Sequence, residues 1–176
     1  PRAFPGSGHH ILANSDEHTE YGFSSEDGTN RKLMMKKRLQ KEAVCAKKDL
    51  PNPTIYGPKN AKLTLICWGS TKGTLLEAIH DIPHVNVLHL TWLSPFPTAF
   101  VRKVLSHSKH VATVELNMTG QLHALIAEKT GVQIKDFIRK SDGRPFFVEE
   151  LRQRINDLLR SYGLNPKHPT TQSRRA

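Results

Sequence analysis

This sequence predicts a three-layer α/β sandwich (αβα) around a mainly parallel sheet of four to five strands, with a loop–helix extension at its N-terminus. One observation predicts the sandwich and a second sets its boundary. Beyond residue 60, short apolar runs alternate with stretches of helical period. That alternation means β–α–β units, which force parallel strands joined by right-handed crossovers. Asp49–Asn60 carries three prolines and a glycine between this region and a basic helical stretch, which predicts a linker without regular structure.

The elements follow in order. Residues 1–29 are rich in Gly, His, Ser, Asp and Glu without a period, and read as loop. Asp27, Thr29 and Asn30 offer N-cap side chains. A helix is predicted from Arg31 to about Val44, with Leu33, Met34 or Met35, Leu39 and Ala43 on one stripe. After the linker, Leu63–Trp68 reads as a buried strand, followed by a helix burying Leu75, Leu76, Ile79 and Ile82. Val85–Leu90 is a second strand, and Ser94–Pro97 a turn. Phe100, Val101, Val104 and Leu105 mark the next helix. Val111–Leu116 is a third strand, followed by a helix over about Thr119–Thr130. Phe137 and Ile138 suggest a short fourth strand. Gly143-Arg144-Pro145 turns the chain into a last helix burying Phe147, Val148, Leu151, Ile155, Leu158 and Leu159. The expected organisation is an extension over 1–48, a linker over 49–60, the sandwich over 61–162 and a flexible basic tail over 163–176.

Composition narrows the function. The chain has 176 residues, of which 37% are hydrophobic, enough for one core. No apolar run approaches the ~18 residues of a membrane span, and the first residues do not resemble a secretory signal. The expected compartment is therefore the cytoplasm. The chain starts at Pro1, which suggests a piece of a longer polypeptide. Two cysteines, Cys45 and Cys67, are too few for an iron–sulfur cluster and too far apart for a CxxC motif. The net charge of +10 raises a nucleic-acid partner. However, six of the cations (Arg31, Lys32, Lys36, Lys37, Arg38 and Lys41) lie in one helix, with no aromatic platform beside them. A solvated or subunit-facing basic helix is the preferred reading.

Ligands of open parallel sheets bind beyond the carboxyl ends of strands, which directs attention to two turns. Gly69-Ser70-Thr71-Lys72-Gly73 follows the first strand. Its small residues allow an anion to meet backbone N–H groups, with Ser70 or Thr71 capping the helix; the alternative is a plain cap with Gly packed closely on the sheet. It is neither a Walker A loop nor a GxGxxG turn. The second turn is Glu115-Leu116-Asn117-Met118-Thr119-Gly120-Gln121. Glu115 would end a buried strand, and Asn117 or Thr119 would cap the next helix. The carboxylate could serve a neighbouring loop, a partner subunit or a ligand. Asp16-Glu17-His18-Thr19-Glu20, with His9 and His10, contains metal-ligand residue types but lacks HExxH, so no metal site is assigned. No GxSxG announces a nucleophile.

Several blocks, in order, resemble one family. These are Asp16–Gly22, Ser25-Glu26-Asp27, Asn30-Arg31 and Met35–Lys41; then Trp68–Gly73 with Glu77-Ala78; then Pro95-Phe96-Pro97, Glu115–Leu122 and Asp142–Phe146. Together they are similar to 2-oxoacid:ferredoxin oxidoreductase α subunits, over about residues 8–160. The resemblance implies that residues 1–48 end a pyrimidine-binding domain and that the sandwich is a transketolase C-terminal-like domain. It implies an enzyme that oxidatively decarboxylates a 2-oxoacid, 2-oxoglutarate being favoured, to an acyl-coenzyme A, with electrons passed to ferredoxin. Thiamine diphosphate, magnesium and iron–sulfur clusters are implied for the complete enzyme, with the thiamine diphosphate motif on a β-type partner subunit. This part is expected to bind none of these alone, to carry no catalytic residue and to be inactive in isolation. Glu17, His18, Arg31, Arg38, Glu115, Asn117 and Gln121 become interface or structural candidates, and Gly69, Ser70 and Thr71 an anion-binding or helix-cap turn. His9 and His10 precede the signature and are placed near the substrate side. Two other readings are weighed: the C-terminal domain of a transketolase-like dehydrogenase β subunit, and a basic nucleic-acid-binding module.

Overall fold

The computed structural model describes residues 3–165, so most of the basic tail expected over 163–176 lies outside the described residues. Contacts divide the chain at Asp49 into two compact units.

The first unit holds a two-residue antiparallel pair, β1 (Glu17–His18) with β2 (Ser24–Ser25), and one long helix, α1 (Gly28–Lys48). The loop expected over 1–29 therefore contains a small ladder. The helix starts three residues earlier than Arg31 because Asp27 caps it, its Oδ1 accepting the Asn30 N–H at 2.7 Å. Lys47 and Lys48 fill the last turn, where cations favour the helix dipole. The apolar stripe is present, but no residue of α1 is buried, and Leu33 and Leu39 are both exposed.

In the second unit the sheet order is β3-β5-β4-β6-β7. β4 (Leu63–Trp68), β5 (Val85–Leu90), β6 (His110–Glu115) and β7 (Asp136–Arg139) run parallel, and β3 (Thr54–Tyr56) pairs antiparallel with β5. The mostly parallel five-stranded sheet matches expectation. β3 corrects it, because it lies inside the segment expected to lack regular structure. The prolines flank the strand rather than interrupt it, and an edge strand needs ladder bonds on one side only.

Four helices cover the sheet: α2 (Thr71–Ile79), α3 (Thr98–His107), α4 (Gln121–Thr130) and α5 (Val148–Ser161). The period-two alternation of the strands splits the core in two. Leu63, Leu65, Val85, Val87, Ala112 and Val114 face one cluster, which takes in Leu75 of α2 and Leu151, Ile155 and Leu159 of α5. Ile66, Leu88 and Leu90 face the other, with Val101 and Leu105 of α3 and Leu122 and Ile126 of α4. The result is the three-layer arrangement. Two boundaries shift. Gly120 adopts φ +71° and keeps α4 from starting at Thr119. Phe147, expected in the core, is instead the exposed N-cap of α5, and Phe146 takes the buried place.

Candidate functional site at the carboxyl edge of the sheet

The strand order places a topological switch between β4 and β6. From β4 the chain turns through α2 toward β5 on one face. From β6 it turns through α4 toward β7 on the other. Such a divergence opens a crevice beyond the carboxyl ends of the two strands. The structure thus brings together the two turns that the sequence singled out separately. Trp68, Gly69, Ser70 and Thr71 line one side, and Leu116, Asn117 and Gln121 the other. The crevice encloses about 150 Å³, below the ~300 Å³ at which small-molecule sites begin. It accommodates a single small group, such as a carboxylate, a phosphate or a side chain from another segment.

Each wall is held from within. At the first turn Ser70 occupies the N-cap of α2, but its hydroxyl makes no capping bond, and Thr71 is buried. The expected side-chain cap is absent. Gly69 is there for its backbone angle, φ +60°, and not for close packing, since a Cβ would meet nothing within 4 Å. Its carbonyl lies 3.1 Å from Nε2 of the buried His89 on β5, a partner that sequence reasoning missed.

At the second turn the donors of α4 are consumed. Glu115 is 1% exposed, and its carboxylate accepts the N–H groups of Leu122 at 2.7 Å and His123 at 3.0 Å. Asn117 donates its amide to Glu115 at 2.9 Å, and its Oδ1 accepts from the N–H of Gly120 at 2.6 Å and Gln121 at 3.1 Å. A buried carboxylate is tolerated here because the helix N-terminus supplies both hydrogen bonds and favourable dipole charge. Asn117 caps as expected, Thr119 does not, and Glu115 serves its own chain. Gln121 is exposed at the rim.

In the first unit, Glu17 is 5% exposed, in a chelate-like fork with Arg38 (Nη1–Oε1 2.6 Å) and a contact from Arg31 at 3.0 Å. The Arg38 hydrogen bonds hold its carboxyl below the usual range. His18 turns its ring to Asn14 (Nε2–Oδ1 2.9 Å), and its carbonyl accepts the Asn30 amide at 3.1 Å. Within the run Asp16–Glu20, Glu17 is therefore held by arginines, and no group of three metal-binding side chains gathers among the described residues. Two of the six cations of the basic helix neutralise an internal carboxylate.

Cys67 is not poised for chemistry. Cys67 sits inside β4, and burial pushes its thiol up to about 12, so the thiolate nucleophile is not formed near neutral pH.

The model for the pyruvate:ferredoxin oxidoreductase core domain II matches residues 61–151. An α subunit of 2-oxoacid:ferredoxin oxidoreductase from Saccharolobus solfataricus is 32% identical over 151 residues, covering 82% of this chain and 24% of that protein. One from Aeropyrum pernix is 35% identical over 165 residues, covering 89% and 26%. A 2-oxoglutarate:ferredoxin oxidoreductase from Magnetococcus marinus, solved with 2-oxoglutarate, coenzyme A and succinyl-coenzyme A bound, superposes with a TM-score of 0.73 at 28% identity, over 89% of this chain and 28% of that one. The chain spans about a quarter of the length of the curated relatives it matches.

Proposed function

We propose a role for this chain from one premise: it belongs to the pyruvate:ferredoxin oxidoreductase core domain II family, within the 2-oxoacid:ferredoxin oxidoreductase α subunits. The role is to serve as a scaffolding and interface-forming part of an oxidoreductase subunit. The complete enzyme oxidatively decarboxylates a 2-oxoacid, with 2-oxoglutarate as substrate. It transfers the acyl group to coenzyme A and passes electrons to ferredoxin, in the cytoplasm. The observation that carries the scaffolding role is the fate of the polar residues on which the resemblance rests. Glu17, Arg31, Arg38, Glu115 and Asn117 all satisfy their own unit's backbone or side chains.

The two cysteines and the switch-point crevice do not fit the cofactors of such a reaction. Cys45 and Cys67 cannot supply a four-thiolate cluster. The switch-point crevice is smaller than a cofactor requires. In our reading, as the family resemblance implies, thiamine diphosphate, magnesium and clusters are held by other parts of the assembly, with thiamine diphosphate on a β-type partner subunit. No helix among the described residues is long and apolar enough to cross a membrane. The family match displaces both the nucleic-acid module and the transketolase-like dehydrogenase β subunit.

The test is co-purification of the full-length chain with the β-type subunit, followed by a coenzyme-A-dependent reduction assay with a low-potential dye and 2-oxoglutarate. Activity that needs both subunits is the expected result. A stable complex inactive on every 2-oxoacid tried would remove the reaction and leave the architecture. Absence of any complex would remove the scaffolding role as well.

A further inference from the structure

A second, largely open cavity lies farther along the carboxyl edge, beyond β7, with about 530 Å³ of space, a volume comparable to that of small-molecule sites. Arg139, Lys140 and Arg154 contribute three positive charges to its lining, against two negative charges from Asp142 and Glu150. The two acids do not neutralise all three bases. Glu150 is shared by Lys140 and Arg154, through Oε2 and Oε1 respectively. Asp142 stands 3.7 Å from Lys140.

Arg139 is left over. It is the last residue of β7, in register with Glu115 on β6, yet that carboxylate is turned into the N-terminus of α4. The Arg139 guanidinium lies over the Phe137 ring, its Cζ 3.8 Å from the centroid. It also fills the space above Gly120, where a Cβ would come within 2.3 Å of Nη2. The glycine that shapes the α4 turn therefore makes room for this side chain. Arg139 Nε is buried and meets no acceptor among the described residues. A partly desolvated cation without an anionic partner is costly, and a planar guanidinium held by stacking is prearranged for a two-pronged oxyanion. Exposed Phe137 and Met118 offer apolar surface beside it.

We infer that the cavity beyond β7 is a binding site for a small molecule bearing a phosphate or carboxylate next to an apolar or planar portion, with Arg139 as the residue that grips the oxyanion. The site is separate from the switch-point crevice and does not rest on the reaction proposed above.

The test is calorimetric titration of the full-length protein at fixed ionic strength, with pyrophosphate in one arm and succinate in the other. Saturable binding in at least one arm, weakened about tenfold or more in Arg139→Gln, is expected. The arm that binds identifies the class of oxyanion. Absence of saturable binding in both arms, or equal binding by Arg139→Gln, overturns the inference. Should that variant fail to fold, Ser141→Glu leaves Arg139 in place and adds a carboxylate to the cavity lining. It is expected to weaken binding likewise, and unchanged binding there overturns the site.

Discussion

Glu115 shows how one side chain settles two questions at once. It ends a strand and starts the next helix, so removing it harms both. Glu115→Ala leaves the Leu122 and His123 donors facing a buried space without an acceptor, and is expected to destabilise by about 1–3 kcal/mol, read as a lower denaturant midpoint at unchanged slope. Glu17 yields a prediction about pH. Its folded value is lowered by Arg38 and Arg31, so its stabilising contribution is present above the ordinary glutamate value of about 4.3. That contribution is lost as pH falls through the lower folded value. Carbon-detected titration should find Glu17 below an ordinary glutamate, and Arg38→Ala should bring it back up. Sequence reasoning located Glu115 and Asn117 because strand-end acids and helix caps leave local signals. It missed His89 and Arg139, whose roles come from pairing across strands that are distant in the chain, and no local pattern marks them.

At the scale of elements, the strands buried on both faces were the easiest to read. β4 and β5 are mostly apolar, broken only by Thr64, Asn86 and His89, and are buried almost throughout, as parallel central strands should be. Their helices followed from 3.6-residue spacing. β3 was hidden, since three residues between prolines carry no periodicity, and it exists only because β5 offers a free edge. The start of α5 was misread by one residue because Phe146 and Phe147 are equally apolar and only tertiary packing chooses between them. α5 shares one helical layer with α2, with Leu151, Ile155 and Leu159 fully buried. Leu151→Ala is expected to cost about 2–5 kcal/mol, measured by thermal or chemical denaturation. α1 contrasts with it, having caps and length but no buried side chain. Amide exchange in α1 of the isolated chain should be much faster than in β4 and β5. Equal protection would show that α1 is covered by something beyond its own unit.

For the whole molecule, the two units differ in what stabilises them. The second has two apolar clusters flanking one sheet. The first depends on a carboxylate shared by two arginines and on a short ladder. The side chains that looked like chemistry maintain the architecture, and the cavity that remains unexplained lies at the far edge of the sheet. β3 carries one more consequence. In the five-stranded sheet of the described residues it alone runs against the others, it comes first in the second unit, and it shields one side of β5, a strand whose six residues are all buried. Unshielded strand edges of that kind recruit other chains. Shortening the protein to begin at Leu50 keeps the guard strand, whereas beginning at Asn60 removes it. Light scattering should therefore find the first truncation dispersed and the second self-associating, so ten residues that look like a tether determine whether this sheet stays solitary.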